Sequence, residues 1–135
     1  MLDREIDCWV ATSDPLIGAP HLVPLSFDWD GASVLLSTSA ASPTGRALAA
    51  RGGVRLGFGR TRDVVMVDGD IEVIEAADLP GDEGDRFAAR TGFDPRSLRS
   101  RYLYFRVRPT RVQAWREENE LAARDVMRGG VWLEG

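Results

Sequence analysis

One stretch, Ser33 to Arg60, constrains the fold more than any other part of the chain. Ser33-Val34-Leu35-Leu36-Ser37-Thr38 reads as a strand, Ser39-Ala40-Ala41-Ser42 as a polar loop, Pro43 to Arg51 as a short helix, and Val54 to Gly59 as a second strand. Ser42 and Pro43 fit the N-cap and the first helical position. The loop brings hydroxyls, backbone N–H groups and Arg46 to one helix start, where partial positive charge and unpaired donors suit a phosphate. In the next strand Val54, Leu56 and Phe58 share one face, while Gly57 and Gly59 leave the other bare. Bare backbone in a strand marks either close approach of another group or a point of twist at a barrel corner. A flat ring against that backbone, with its phosphate tail at the helix end, is the arrangement this stretch suggests.

The flanking segments read mainly as strands. Met1 to Asp7 is a polar lead-in, and Cys8 to Ser13 is apolar and β-branched enough for a strand. Asp14 to Pro20 is a turn punctuated by Gly and Pro. From His21 to Trp29 the residues His21, Val23, Leu25, Phe27 and Trp29 share one face, and Pro24 puts this strand at an edge or a bulge. Asp30-Gly31 is the strongest short hairpin signal. Val64 to Ile74 is a long strand with a bulge or bend at Asp68-Gly69-Asp70. Asp78 to Thr91 runs from acidic to basic, as a helix prefers, and stops at Gly92. Asp94-Pro95 starts another short helix. Tyr102 to Trp115 is a strand with Leu103, Phe105 and Val107 on one face and Arg106 and Arg108 on the other. Glu117 to Arg128 reads as a helix with Glu120 and Arg124 spaced as an i,i+4 pair worth ~0.3 kcal/mol, ended by Gly129-Gly130 and followed by the apolar Val131-Trp132-Leu133. Six strands, frequent hairpin-like connections and few helices predict a mainly β antiparallel barrel with accessory helices, in one domain spanning residues 1–135.

Composition narrows the function. A formal charge of -4 argues against nucleic acid, which needs a basic face. All 17 basic residues are arginine, which suits bidentate recognition of phosphate or carboxylate and also follows from a GC-rich coding bias. One cysteine, Cys8, excludes an internal disulfide and fits a reducing compartment. No apolar run is long enough to cross a bilayer and no secretory leader is evident, so a soluble cytoplasmic protein with no membrane partner is expected. With one His, one Cys and no Lys, the chain lacks the groups for a His- or Cys-cluster metal site. If it is an enzyme, a cofactor carries the hard chemistry.

At this point the residues resemble a known family. Trp9-Val10-Ala11-Thr12, Gly18-Ala19-Pro20-His21-Leu22-Val23-Pro24 and Trp29-Asp30-Gly31 resemble the opening of the pyridoxamine 5'-phosphate oxidase-like split-barrel proteins. Thr38, and Ser42-Pro43-Thr44-Gly45-Arg46-Ala47-Leu48, resemble their cofactor-phosphate loop and helix. Thr61-Arg62-Asp63-Val64-Val65 and Arg106 to Trp115 resemble later segments. The resemblance implies a six-stranded split β-barrel that forms a homodimer, with flavin-type cofactors in clefts between subunits. It is most similar to short actinobacterial members that use the deazaflavin coenzyme F-420 rather than FMN. Two departures stand out: members commonly carry Lys near position 44 and Asn at 47, where this chain has Thr44 and Ala47. Arg46 and the hydroxyls are then left to meet the phosphate.

The resemblance implies cofactor contacts from Thr38, Ser39, Ser42, Pro43, Thr44, Arg46, Gly57, Arg60 and Arg62. Each has a plain structural alternative: a helix cap, satisfied turn backbone, a solvated arginine or eased strand twist. His21 is either a hydrogen-bonded core histidine or a substrate-facing donor. Trp115 and Trp132 suit packing or dimer contact better than ring stacking. No catalytic side chain is identified. The functional expectation is an oxidoreductase passing a hydride from reduced F-420 to a small organic acceptor. The alternatives are an FMN-dependent oxidoreductase of the same fold and a cofactor-binding module without turnover.

Overall fold

Alternating apolar residues build the sheet. The computed structural model describes residues 1–116 and 125–133. Its strands are β1 (Asp7–Ser13), β2 (Pro20–Trp29), β3 (Val34–Ser39), β4 (Arg55–Arg60), β5 (Asp63–Glu75), β6 (Tyr102–Trp115), β7 (Asp125–Arg128) and β8 (Val131–Trp132). They lie in the order β3-β2-β1-β4-β5-β6-β7-β8, and an added β3–β6 pairing closes the first six strands into an antiparallel barrel. Pro24 has a place because β3 pairs only with Phe27 to Trp29, leaving the rest of β2 with one open edge. The expected bulge in β5 is present: its register against β6 slips between Asp68 and Gly69. A side chain at Gly69 would strike the Arg108 carbonyl, so glycine is required there.

The inward positions of these strands form the core. Val10, Phe27, Leu36, Leu56, Phe58, Phe105 and Val107 are fully buried, and Phe27 meets Phe58 edge to face at 4.8 Å. Such a ring pair adds about 1 kcal/mol beyond the area it buries. β3 is buried on both sides. Val34 and Leu36 join the barrel core, while Leu35 faces a smaller cluster of Leu79, Phe87 and Tyr104. That cluster seats helix α2 (Gly81–Thr91) on the outside of the barrel.

α2 has the acid-to-base order read from its sequence, with Asp82 and Glu83 in the first turn, Arg90 in the last, and Gly92 as a left-handed cap at φ 74°. It starts later than Asp78. Leu79 precedes Pro80, which pushes it into extended backbone, ψ 131°, so Ala76–Asp78 makes a separate 3-10 turn. Ion pairs pin the helix to the barrel strands. Arg86 Nε donates to Asp28 Oδ2 at 2.7 Å, and Glu83 accepts from Arg106 at 2.8 Å.

The chain's last elements differ from expectation. Residues 117–124, including Glu120 and Arg124, lie outside the described residues, but Asp125–Arg128 is strand β7 rather than helix. It pairs with β6 and turns through Gly129 and Gly130, φ 60° and 81°, into β8. Two successive positive-φ glycines close a two-residue hairpin as readily as they stop a helix. Among the described residues no helix is long and apolar enough to cross a membrane.

Candidate functional site

The loop after β3 and helix α1 (Pro43–Ala49) form a tightly wired unit. Ser42, in extended backbone at φ -70°, ψ 155°, caps the helix: its Oγ accepts from Gly45 N at 2.9 Å and donates to Ser39 O at 2.9 Å. Thr38 Oγ1 lies 3.4 Å from the same Oγ. Arg46 turns back over the loop and donates from Nη1 to Ala41 O at 3.0 Å. Thr44 is buried, and Pro43 and Arg46 are exposed. The structure therefore brings Thr38, Ser39, Ser42, Pro43, Thr44 and Arg46 to one place.

The wiring also uses donors that the sequence suggests are free. Ala40 N donates to Arg101 O, Ala41 N to Ser39 Oγ, Ser42 N to Ser39 O, and Arg46 N to Ser42 O. α1 has only seven residues, so its end charge is small. The guanidinium of Arg46, which makes a single hydrogen bond among the described residues, is the strongest group left for an anion. Replacing Ser42 with Ala removes the cap and the bridge together. A loss of about 1 kcal/mol in chemical denaturation is expected.

One residue of this unit was not singled out from the sequence. A side chain at Gly45 would drive into the Ser39 carbonyl oxygen, with Ser42 Oγ 3.1 Å away. Glycine at the third helical position was the available signal, since nothing about helix propensity favours it there.

His21 shares this end of the barrel. It pairs with Thr12 at the start of β2, half-buried, and so is neither in the core nor fully exposed. Hydrogen bonds from the Ile17 and Leu16 N–H groups, with the charges of His21 and Arg46, hold the Asp14 carboxyl below its ordinary range. Cys8 carries no nucleophile: burial, aided by Asp7, pushes its thiol up to about 12.

Arg60 and Arg62 lie elsewhere. Ser39 pairs with Tyr102 at one end of β6, whereas Arg60 pairs with Asp63, next to Val64, which pairs with Trp115 at the other end. Within one chain the two arginines and the loop do not converge. Gly57 sits between, where an added Cβ would meet Met66 Sδ at 3.3 Å and Trp9 Cβ at 3.8 Å. A groove of about 380 Å³ runs beside Gly57 and Gly59, lined also by Trp9, Pro24 and Arg60. Gly59 itself is explained by local geometry, since its φ is 87° and a side chain would strike Asp63 O.

Two large apolar side chains stand out on the outer surface here, beside the Glu5, Asp7 and Arg60 that also line the groove. Trp9 is 51% exposed and Leu22 is 62% exposed. The register lines up Pro24, Trp9, Gly57 and Met66 across β2, β1, β4 and β5.

A family model described as pyridoxamine 5'-phosphate oxidase matches residues 2–116. The protein Atu2129 from Agrobacterium tumefaciens, of unknown function, superposes with a TM-score of 0.71 at 17% identity, over 84% of this chain and 52% of that one. The chain thus spans about half of that protein's length. An F-420 reductase superposes with a TM-score of 0.65 at 21% identity, over 82% of this chain and 91% of that one. A pyridoxamine 5'-phosphate oxidase-related, FMN binding protein from Nostoc punctiforme gives 0.57 at 12% identity, over 81% and 74%. At these identities the likeness is one of fold. No curated protein matches the chain.

Proposed function

Because the chain belongs to the pyridoxamine 5'-phosphate oxidase family, we propose that it is an oxidoreductase that binds the deazaflavin coenzyme F-420 and reduces a small organic acceptor. The observation that carries this reading is Arg46 folded over the Ser39–Ser42 loop onto the Ala41 carbonyl oxygen, in the same unit as the Thr38 and Ser42 hydroxyls, which lie 3.4 Å apart. Those groups fit the phosphate of a flavin-type cofactor, and the groove beside Gly57, lined by Arg60 and by no residue of the loop, offers the bare backbone proposed to take a ring across the proposed dimer. When bound, the cofactor supplies hydride transfer to an electron-poor double bond or imine. The chain's own part is binding and orientation. His21, at the same barrel end, is the side chain proposed to face the acceptor.

The proposal includes a homodimer with the cofactor between subunits. What supports it is the exposed stripe of Trp9, Leu22 and Pro24 beside the groove, an apolar patch that a second copy would cover. A second reading, FMN in the same cleft, is favoured by one observation. Arg60 and Arg62, named among the cofactor contacts from the sequence, stand away from the loop within one chain, and FMN, unlike a coenzyme with a long acidic tail, does not require them.

Titration of the purified protein with both cofactors separates the readings. Saturable deazaflavin binding, followed by consumption of the reduced cofactor with an acceptor, is expected. Tight FMN binding with deazaflavin no better than a nonspecific anion would overturn F-420 use. Binding with no turnover across a broad acceptor panel would leave a carrier module. In either cofactor case Arg46→Ala is expected to weaken binding by ~1.5–3 kcal/mol in the same titration, and an unchanged affinity removes Arg46 from the site.

A further inference from the structure

We infer that the cavity between β1, β4, β5 and β6 binds an uncharged, polyhydroxylated molecule, a sugar or a polyol. The cavity measures about 490 Å³ and is lined by Thr12, Ser13, Arg55, Asp68, Gly69 and Thr110. The observation that points to a ligand is Thr12. It is 7% exposed, and its Oγ1 is buried with no hydrogen-bond partner among the described residues. Two residues earlier on the same strand face, Val10 packs the core with a side chain of the same shape and no hydroxyl. A buried hydroxyl without a partner opposes folding, so its presence at position 12 calls for a group that pairs with it. No described protein group is within reach, whereas the cavity adjoins the residue, and one step between staggered rotamers exchanges hydroxyl and methyl. Ser13, exposed at the end of β1, adds a second hydroxyl.

The charges choose the ligand. Arg55 and Asp68 are the charged lining residues, and they cancel in a bidentate pair, with Nε donating to Oδ1 at 2.7 Å and Nη2 to Oδ2 at 3.0 Å. An ion therefore gains little here over a neutral molecule. Nη1 of Arg55 bonds nothing among the described residues, and each carboxylate oxygen keeps accepting capacity. Donor and acceptor thus stand side by side, the pattern that neighbouring hydroxyls complement, since one accepts while the next donates. Ala11 and Val54 are the apolar side chains of the lining, too little for an apolar body. The cavity shares no lining residue with the groove beside Gly57 or with the loop after β3, so the inference does not rest on the cofactor reading.

The test is backbone-amide NMR of the isotope-labelled protein, titrated with glucose and with sorbitol in the millimolar range. Saturable shifts confined to residues 11–13, 53–55, 68, 69 and 110 are expected with at least one of the two. Glucosamine and glucuronate, which carry a charge, should bind more weakly than glucose. Thr12→Val keeps the shape and removes the hydroxyl, and a loss of roughly five- to tenfold in affinity is expected, with Thr12→Ser close to wild type. No saturable shift, shifts scattered over the surface, a charged analogue that binds more tightly, or a valine variant that binds as wild type would each overturn the inference. If Thr12→Val does not fold, Ser13→Ala changes an exposed position and should weaken binding by a smaller factor. Unchanged affinity there would overturn the inference as well. FMN should not displace the sugar; displacement would assign these groups to the cofactor's own hydroxyl chain and overturn a separate site.

Discussion

Arg106→Met is expected to cost about 3 kcal/mol of stability at neutral pH, the lower end of the range for an ion cluster stripped of its cation. Arg106 projects from β6 on the side facing α2 and is only 8% exposed. Its guanidinium donates to Glu83 Oε1 at 2.8 Å and Ser33 Oγ at 3.2 Å, and lies 3.5 Å from both Asp30 Oδ2 and Glu72 Oε1. Three elements thus send carboxylates to one cation: the β2–β3 turn, β5 and α2. Methionine fills much of the same volume, so the loss reads out uncompensated charge rather than a cavity.

The pH dependence of that loss identifies its cause. Burial alone would raise the Asp30 carboxyl, but hydrogen bonds from Ala32, from the Ser33 amide and hydroxyl, and the Arg106 charge hold it below the ordinary value. A depressed folded-state value stabilises the native protein above the unfolded value, near 4, and the contribution disappears as pH falls through the folded value. In wild type, stability should fall on the acid side of that point. In Arg106→Met the crowded carboxylates gain by protonation, so the gap between the proteins should narrow from pH 7 to pH 4. Urea denaturation at both pH values checks this. A gap that does not change with pH would assign the loss to packing.

Much of this architecture is written locally. The face formed by Leu103, Phe105 and Val107 places β6 over Tyr102–Trp115, the span expected from its alternation. Asp68-Gly69 marks the register slip because a barrel strand bends where a side chain is missing. Ser42-Pro43 marks the start of α1 because capping chemistry is short-range. What resisted reading is long-range. Arg60 and Arg62 follow the glycine strand directly in sequence, yet β-pairing puts them at the far end of β6 from the loop. The loop amides look free in sequence, and are occupied because Ser39 and Arg101 fold back to meet them. Gly129-Gly130 fits a helix stop and a hairpin turn equally well until β6 is present to pair with β7. The role of Gly45 depends on a carbonyl six residues earlier, which helical propensity does not register.

Trp9→Glu is expected to break the proposed dimer into monomers and to weaken binding of the proposed cofactor at the same time. The outward face of β1 presents Trp9 half-exposed, with Pro24 on one side and Gly57 on the other. Gly57 adds no side chain and Met66 lies beyond it, so the indole is the tallest apolar group on a low surface. A buried tryptophan at the centre of an interface is worth about 2 kcal/mol or more. In a two-fold dimer each substitution counts twice, giving about 4 kcal/mol, or roughly a thousandfold weaker association. Glutamate adds repulsion, because Glu5 and Asp7 line the same groove. The monomer should keep its fold, since the side chain replaced is solvent-facing. Sedimentation reads the assembly, thermal melting reads the fold, and cofactor titration reads the cleft. Loss of dimer with retained cofactor affinity would place the whole cofactor site within one chain. A variant that stays dimeric would move the interface off this stripe, and Leu22→Glu, two pairs along the β1–β2 ladder at Ala11, would then be unaffected as well.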